Sequence, residues 1–224
     1  MNNNYNKAVI FDLDGTLMNT KAGILKSLDE TVAKRGYRPI PEAKKITFVG
    51  PPMAKSLKKE YGFSDEECFA AAQEFRDLYA GDNSLIARTY PHMKAILEKL
   101  LREGYALGVA TYKREDVALK ILDHFGLSKY FRSIHGSDFD GKLSKAEIVE
   151  LTMSELEADN TTAVVIGDTT GDGKAANEVG CAFIAVTYGY GFKPGEDLRE
   201  LAPAGVAKTT DELYLKIHEL LKIH

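Results

Sequence analysis

The sequence predicts a doubly wound α/β fold, a mainly parallel Rossmann-like sheet with an α-helical subdomain inserted after its first strand. Four short runs are apolar without alternation: Ala8-Val9-Ile10-Phe11, Leu107-Gly108-Val109-Ala110, Ala163-Val164-Val165-Ile166 and Ala182-Phe183-Ile184-Ala185-Val186. Strands buried on both faces of a helix-covered parallel sheet read this way. From Pro91 onward these runs alternate with helical stripes, the pattern of a wound α/β chain. Between the first run and Pro91 there are only helical patterns, so a helical cap is expected there.

Phe131 to His135 and Gly205 to Lys208 are weaker strand candidates. Met93, Ile96, Leu97, Leu100 and Leu101 recur on one helical face, as do Val117, Ile121, Leu122 and Phe125, and Leu213, Ile217, Leu220 and Leu221. In the inserted segment, Leu25, Leu28 and Val32 form one stripe and Ala71, Phe75 and Leu78 another, with Gly50-Pro51-Pro52 interrupting. Asn19 is placed to cap a helix starting near Lys21. At roughly 100–200 residues per domain, the 224 residues make one core with an insertion. We expect a core of 1–18 and 88–224 and a cap of 19–87, with crossings at Gly15–Thr20 and Gly81–Tyr90.

Charge excludes some functions. The 29 Lys and Arg against 33 Asp and Glu leave a net charge of −4, and no basic block offers a surface for nucleic acid or an anionic membrane. The longest uncharged stretch, Val179 to Phe192, is shorter than the roughly 18–20 residues a spanning helix needs. Met1 to Asn6 carries no charged region leading into an apolar core, so no signal peptide and a cytoplasmic location are expected. Cys68 and Cys181 stand far apart and read as small buried hydrophobes.

Chemistry concentrates at two strand ends. Asp12-Leu13-Asp14-Gly15-Thr16 follows the first strand, and in an extended chain Asp12 and Asp14 share a face while Leu13 points to the core. Close carboxylates must share a proton or a cation. A chain this rich in aspartate holds roughly one Asp-x-Asp by chance, and Asp138-Phe139-Asp140 is a second instance. Placement separates the two, because Asp12 and Asp14 sit outside the carboxyl end of a strand, where open α/β sheets bind ligands. Gly167-Asp168-Thr169-Thr170-Gly171-Asp172-Gly173 occupies the same sheet edge; its aspartates suit helix capping or, with Asp12, an oxygen-liganded hard cation such as Mg²⁺. The five histidines show no zinc-type spacing. Thr111, at the end of the second strand, could cradle a phosphate with the following N–H groups. Lys142 and Lys145 flank a helix start from which a lysine could enter the cleft and offset the negative charge.

In this order the residues resemble the four motifs of the haloacid dehalogenase-like hydrolases: Asp12 to Thr16, Thr111, Lys145, and Gly167 to Asp172. The insertion resembles the cap of the phosphoglycolate phosphatase-like branch, with Gly50-Pro51-Pro52 and Ser56 resembling a cap element. The chain departs from that branch at Asn19-Thr20, at Pro91-His92 where a Pro-Gly pair is usual, and at Tyr112-Lys113 where Asn-Lys is commoner. The resemblance implies a phosphatase in which Asp12 is the nucleophile and Asp14 the acid and base. It further implies that Thr111 and Lys145 hold the phosphoryl oxygens, with Lys142 the alternative for the last role. Asp12, the main-chain carbonyl of Asp14, and Asp168 would hold Mg²⁺, with Asp172 nearby or ligating through water.

Several other readings compete. The substrate expected is a small phosphorylated metabolite, 2-phosphoglycolate by default or a nucleoside monophosphate, taken by a monomer or homodimer. Lys21, Lys55, Ser56, Arg88 and Tyr112 are the candidates for specificity. A sugar-phosphate mutase would use the same aspartyl-phosphate. A dehalogenase has no need of Asp14, and a non-catalytic phospho-accepting receiver module leaves the cap and the second acidic cluster unexplained.

Overall fold

β1 (Ala8–Phe11) is buried at every residue because it has a parallel partner on each side. Ala8 lies opposite Ala106 of β4 (Ala106–Arg114) and opposite Ala163 of β6 (Ala163–Gly167). The computed structural model describes residues 7–49, 53–138, 142–192 and 195–221. Beyond β4 lies β5 (Ser133–Ser137), and beyond β6 lie β7 (Ala182–Val186) and β8 (Gly205–Ala207), giving a parallel sheet of order β5-β4-β1-β6-β7-β8. The two-residue strands β2 (Met18–Asn19) and β3 (Arg88–Thr89) flank the inserted segment. The chain divides into two compact units, Met1–Asn19 with Thr89–His224, and Thr20–Arg88.

In the first unit, α7 (Lys145–Glu155) and α8 (Thr170–Val179) cover one sheet face. Ala8, Ile10, Val165 and Phe183 of that face form one apolar cluster with Ile148, Val149, Ala175 and Ala176. α5 (Met93–Arg102), α6 (Glu115–His124) and α9 (Thr210–Leu220) stand outside that cluster and bury Met93, Leu97, Leu100, Ile121, Leu122, Leu213 and Ile217 completely. Each such side chain contributes about 1.5–3 kcal/mol.

The expected sheet is present, with local corrections. β5 begins and ends two residues later than its apolar run suggested, and β4 runs on past Ala110 to Arg114. Leu101 is 39% exposed, because it lies about 80° around the helix from Met93. Leu220 is equally exposed while Leu221 is buried. Pro91-His92 departs from Pro-Gly, yet His92 adopts the left-handed backbone that favours glycine, with φ 60°, and its Nδ1 lies 3.0 Å from the Asp211 carboxylate.

Within the second unit the described residues form α1 (Lys21–Lys34), α2 (Glu42–Lys45), α3 (Met53–Tyr61) and α4 (Asp65–Ala80). They close over Leu28, Val32, Phe48, Leu57, Phe63, Cys68 and Ala71. Leu25 and Phe75 pack against this cluster half-buried. Ser64 and Glu67 form a reciprocal cap on α4. Asn19 does not cap α1, because it still belongs to β2; Thr20 is the cap residue and makes no side-chain cap bond. Gly50-Pro51-Pro52 lies outside the described residues.

Candidate active site

The connection from β1 runs out to β4 and β5, then recrosses to β6 on the other side. The carboxyl end of β1 is therefore a topological switch point, where open α/β sheets form a ligand crevice. Asp12 follows β1, Asp168 follows β6, and Thr111 lies on β4 beyond its pairing with β1. Asp12 donates its backbone N–H to the Ile166 carbonyl at 2.8 Å, which ties the first acidic segment to the second. Leu13 is fully buried as expected. The Leu13 carbonyl accepts the N–H groups of Leu17 and Met18, so the chain turns sharply at Asp14. Gly15 makes that turn at φ +80°, and a Cβ there would lie 2.0 Å from Asp168 Oδ2.

Lys145 occupies the first position of α7, fixed by the reciprocal cap between Ser144 and Glu147. Its side chain is 6% exposed, and its Nζ donates to Asp12 Oδ1 at 2.6 Å and to Asp172 Oδ1 at 2.8 Å. Lys142 is exposed, and its N–H donates to Asp138 Oδ1 at 2.7 Å. Asp138 Oδ1 also accepts the Leu143 N–H, while Phe139, Asp140 and Gly141 lie outside the described residues. Asp172 satisfies both readings of its segment. Its Oδ2 accepts the Thr169 N–H and hydroxyl as a helix cap, while Oδ1 joins the acidic cluster.

Asp12, Asp168 and Asp172 are all buried, with one carboxylate oxygen of each within 4.8 Å of the others. At about 4 Å, two such charges repel by roughly 4 kcal/mol even at an effective dielectric of 20. Burial, more than Lys145 can offset, holds the Asp12 carboxyl up at about 7, with Asp172 and Asp14 adding to the rise. Burial also raises Asp168 to about 8, helped by Asp12 and Asp172 and opposed by the N–H groups of Gly191 and Tyr190. Burial alone would lower the Lys145 ammonium, but Asp12 and Asp172 outweigh it and raise it. Three ionised carboxylates and one ammonium leave a formal charge of −2.

A divalent cation fits that deficit. Asp168 Oδ2 is taken by the N–H groups of Tyr190 and Gly191, whereas its buried Oδ1 has no hydrogen-bond partner. An unpaired buried carboxylate oxygen costs several kcal/mol unless a proton or cation meets it, and an all-oxygen set suits a hard cation. The Asp14 side chain is not in this cluster. Quarter-exposed, it pairs with Lys113 Nζ at 2.8 Å. Thr111 is buried, and its Oγ1 accepts the Lys113 N–H at 3.3 Å, which leaves the hydroxyl hydrogen for another acceptor. Lys21 and Ser56 are half-buried and Lys55 and Arg88 exposed; the Tyr112 ring is 57% exposed, with Lys145 Nζ 5.9 Å from its centre.

Two features of the site escaped sequence reasoning. Lys113 was visible only as a neighbour of Thr111. The 187–191 loop after β7 has no acidic residue to draw notice, yet it holds Asp168, and the Tyr188 hydroxyl donates to the Thr16 carbonyl at 3.0 Å. Its available signal was the close-set Gly189 and Gly191: a Cβ on Gly189 would lie 2.4 Å from both Asp168 Oδ2 and the Gly15 carbonyl.

A parallel sheet with buried carboxylates and a lysine at its switch point defines an α/β enzyme with a carboxylate-based centre. The chain belongs to the haloacid dehalogenase-like hydrolase family, whose sequence profile matches residues 9–186. It is 32% identical over 198 residues to a 5'-nucleotidase of Pseudomonas aeruginosa, covering 87% of this chain and 88% of that one. It is 33% identical over 208 residues to the tyrosine-protein kinase PtkA of Mycobacterium tuberculosis, 92% of this chain and 70% of that one. A phosphoglycolate phosphatase of Vibrio parahaemolyticus is 28% identical over 92% of this chain and 94% of its own. A crystal structure of a predicted phosphatase from Clostridium acetobutylicum superposes with a TM-score of 0.86 at 34% identity, covering 96% of this chain and 99% of that one. The chain is a phosphatase of this family, a phosphoric monoester hydrolase. Among the described residues, no helix is long and apolar enough to cross a membrane.

Proposed function

We propose that the protein hydrolyses a small phosphate monoester such as 2-phosphoglycolate, through an aspartyl-phosphate on Asp12 and with Mg²⁺ as its cation. The observation that carries this reading is the buried Asp12 carboxylate, held at 2.6 Å by Lys145, beside the unpartnered oxygen of Asp168. Asp12 Oδ attacks phosphorus as the bond to the alcohol oxygen breaks. Asp14 gives that oxygen its proton, then takes one from the water that cleaves the aspartyl-phosphate. Lys145 and the Thr111 hydroxyl hold the phosphoryl oxygens, supplying the positioning and charge on which phosphoryl transfer depends. Asp12, the Asp14 main-chain carbonyl and Asp168 would hold Mg²⁺, with Asp172 beside them. Bound there, the ion neutralises charge on an incoming phosphate. Unaided monoester hydrolysis is slow enough that acceleration approaches about 10²¹, so several of these contributions must combine.

We assign the helical segment 19–87 the part of a specificity cap, and we place the enzyme in the cytoplasm, where the free, buried thiols Cys68 and Cys181 stay reduced. A nucleoside monophosphate is the second reading, favoured by the relative named 5'-nucleotidase. A panel of esters compared by kcat/KM separates the two. We expect 2-phosphoglycolate to exceed nucleoside monophosphates, and the reverse order would replace it. Phosphoryl return to a sugar outpacing phosphate release would make the protein a mutase, and transfer from ATP to tyrosine a kinase.

Gly189→Ala tests the support of Asp168. Its new Cβ must displace Asp168 or the Gly15 backbone, and a misplacement of about 1 Å can cost roughly 100-fold. We expect kcat on p-nitrophenyl phosphate to fall by about that factor; wild-type kcat in this variant would show that the loop does not position the site.

A further inference from the structure

We infer that Lys113 is a positioning residue for Asp14, directing its carboxyl group for proton delivery to the leaving oxygen and facing the carboxylate left behind; this rests on the acid and base role proposed for Asp14. The Lys113 side chain is only 6% exposed although Asp14 is 25% exposed, and the two meet at 2.8 Å. A lysine is rarely so buried unless something holds its charge, and the local backbone is built to place it. β4 continues past its pairing with β1 and shifts register against β5 between Ala110 and Arg114. Gly136 of β5 accommodates that stretch, since a Cβ there would lie 2.5 Å from the Lys113 carbonyl and 2.6 Å from Glu115 Cα. The Gly136 N–H donates to Glu115 Oε2 at 3.1 Å, and the Lys113 N–H donates to Thr111 Oγ1.

The two lysines meet different aspartates. Lys145 serves Asp12 and Asp172, and Lys113 serves Asp14. As the phosphorus–oxygen bond breaks, its electron pair goes to the leaving oxygen, the Asp14 proton follows, and the carboxylate so formed faces the Lys113 ammonium. Without that ammonium, a partly exposed carboxylate loses the charged partner that directs it.

The test compares two leaving groups. p-Nitrophenolate departs without a proton, whereas the alkoxide of an alkyl phosphate needs one, and kcat/KM reports the steps through departure of the leaving group. Lys113→Met and Lys113→Gln are expected to lower the alkyl-to-aryl ratio of kcat/KM by roughly 10- to 100-fold, part of the 10²–10⁴ that a general acid contributes. Lys113→Arg should recover most of the ratio. Because a partly unfolded preparation lowers both esters equally, the ratio reads positioning even if a variant is unstable. Asp14→Asn is the reference. If it lowers the ratio and the Lys113 variants do not, the inference is overturned while the proposed function stands. If Asp14→Asn leaves the ratio unchanged, the acid and base role itself fails, and the inference with it.

Discussion

Asp12→Asn is expected to abolish phosphatase activity, by at least about 10⁴-fold in kcat, while making the metal-free protein more stable. An amide cannot form the aspartyl-phosphate, so no other residue recovers the first step. The stability effect runs the other way because the Asp12 carboxylate is buried among Asp168 and Asp172, with Lys145 the one cation paired with it among the described residues. Replacing it with a neutral amide of the same shape removes one of the repelling charges and keeps an oxygen for Lys145. A gain of about 1–2 kcal/mol at pH 8 is in the usual range when a strained functional group is neutralised. The checks are phosphate release with excess Mg²⁺ and Tm in the presence of a chelator. Full activity would end the proposed mechanism, and a lower Tm would show that Asp12 stabilises the fold.

Burial and local chemistry together explain which parts of the molecule were legible in the sequence. β1, β4, β6 and β7 declared themselves because burial on two faces demands unbroken apolar runs. β5 and β8 were fainter because they are the sheet's edges, where polar residues are tolerated. The acidic segments could be recognised because function there departs from what a strand end needs for folding. Lys145 is expected from its place at a helix start and from the family resemblance, with Lys142 as the alternative. The reciprocal cap of Ser144 and Glu147 that fixes Lys145 at the first position of α7 is seen only in the fold. Lys113 could not be placed, since one lysine near a strand end is ordinarily solvated, and its burial against Asp14 is visible only in the folded chain. The 187–191 loop gave no chemical signal because it acts through backbone N–H groups, which every residue carries. Asn19 and Thr20 are a boundary ambiguity of one residue, the scale on which local signals fail.

Metal removal and pH should act on the cluster together, with a sign the raised carboxyls determine. Asp12 at about 7 and Asp168 at about 8 both lie above their ordinary value of 3.8. The folded metal-free protein therefore keeps protons that the unfolded chain has released. Stability falls wherever the folded state binds more protons, so it declines as pH rises from about 4 and levels off above about 8. A divalent cation held by these carboxylates would replace those protons, because a ligating carboxylate must be ionised. Chelation is thus expected to abolish activity at every pH, and saturating Mg²⁺ to raise Tm more at pH 8.5 than at pH 5.5. Binding near pH 6.5 should release protons, seen as a calorimetric heat that varies with the ionisation enthalpy of the buffer. Asp168→Asn separates the cluster's charge from general pH effects. It removes the group with the higher pKa and the unpartnered oxygen, so the metal-free Tm should rise at pH 8.5 while the Mg²⁺-induced increase shrinks. An equal Mg²⁺ effect at both pH values would mean that the cation binds elsewhere than among these carboxylates.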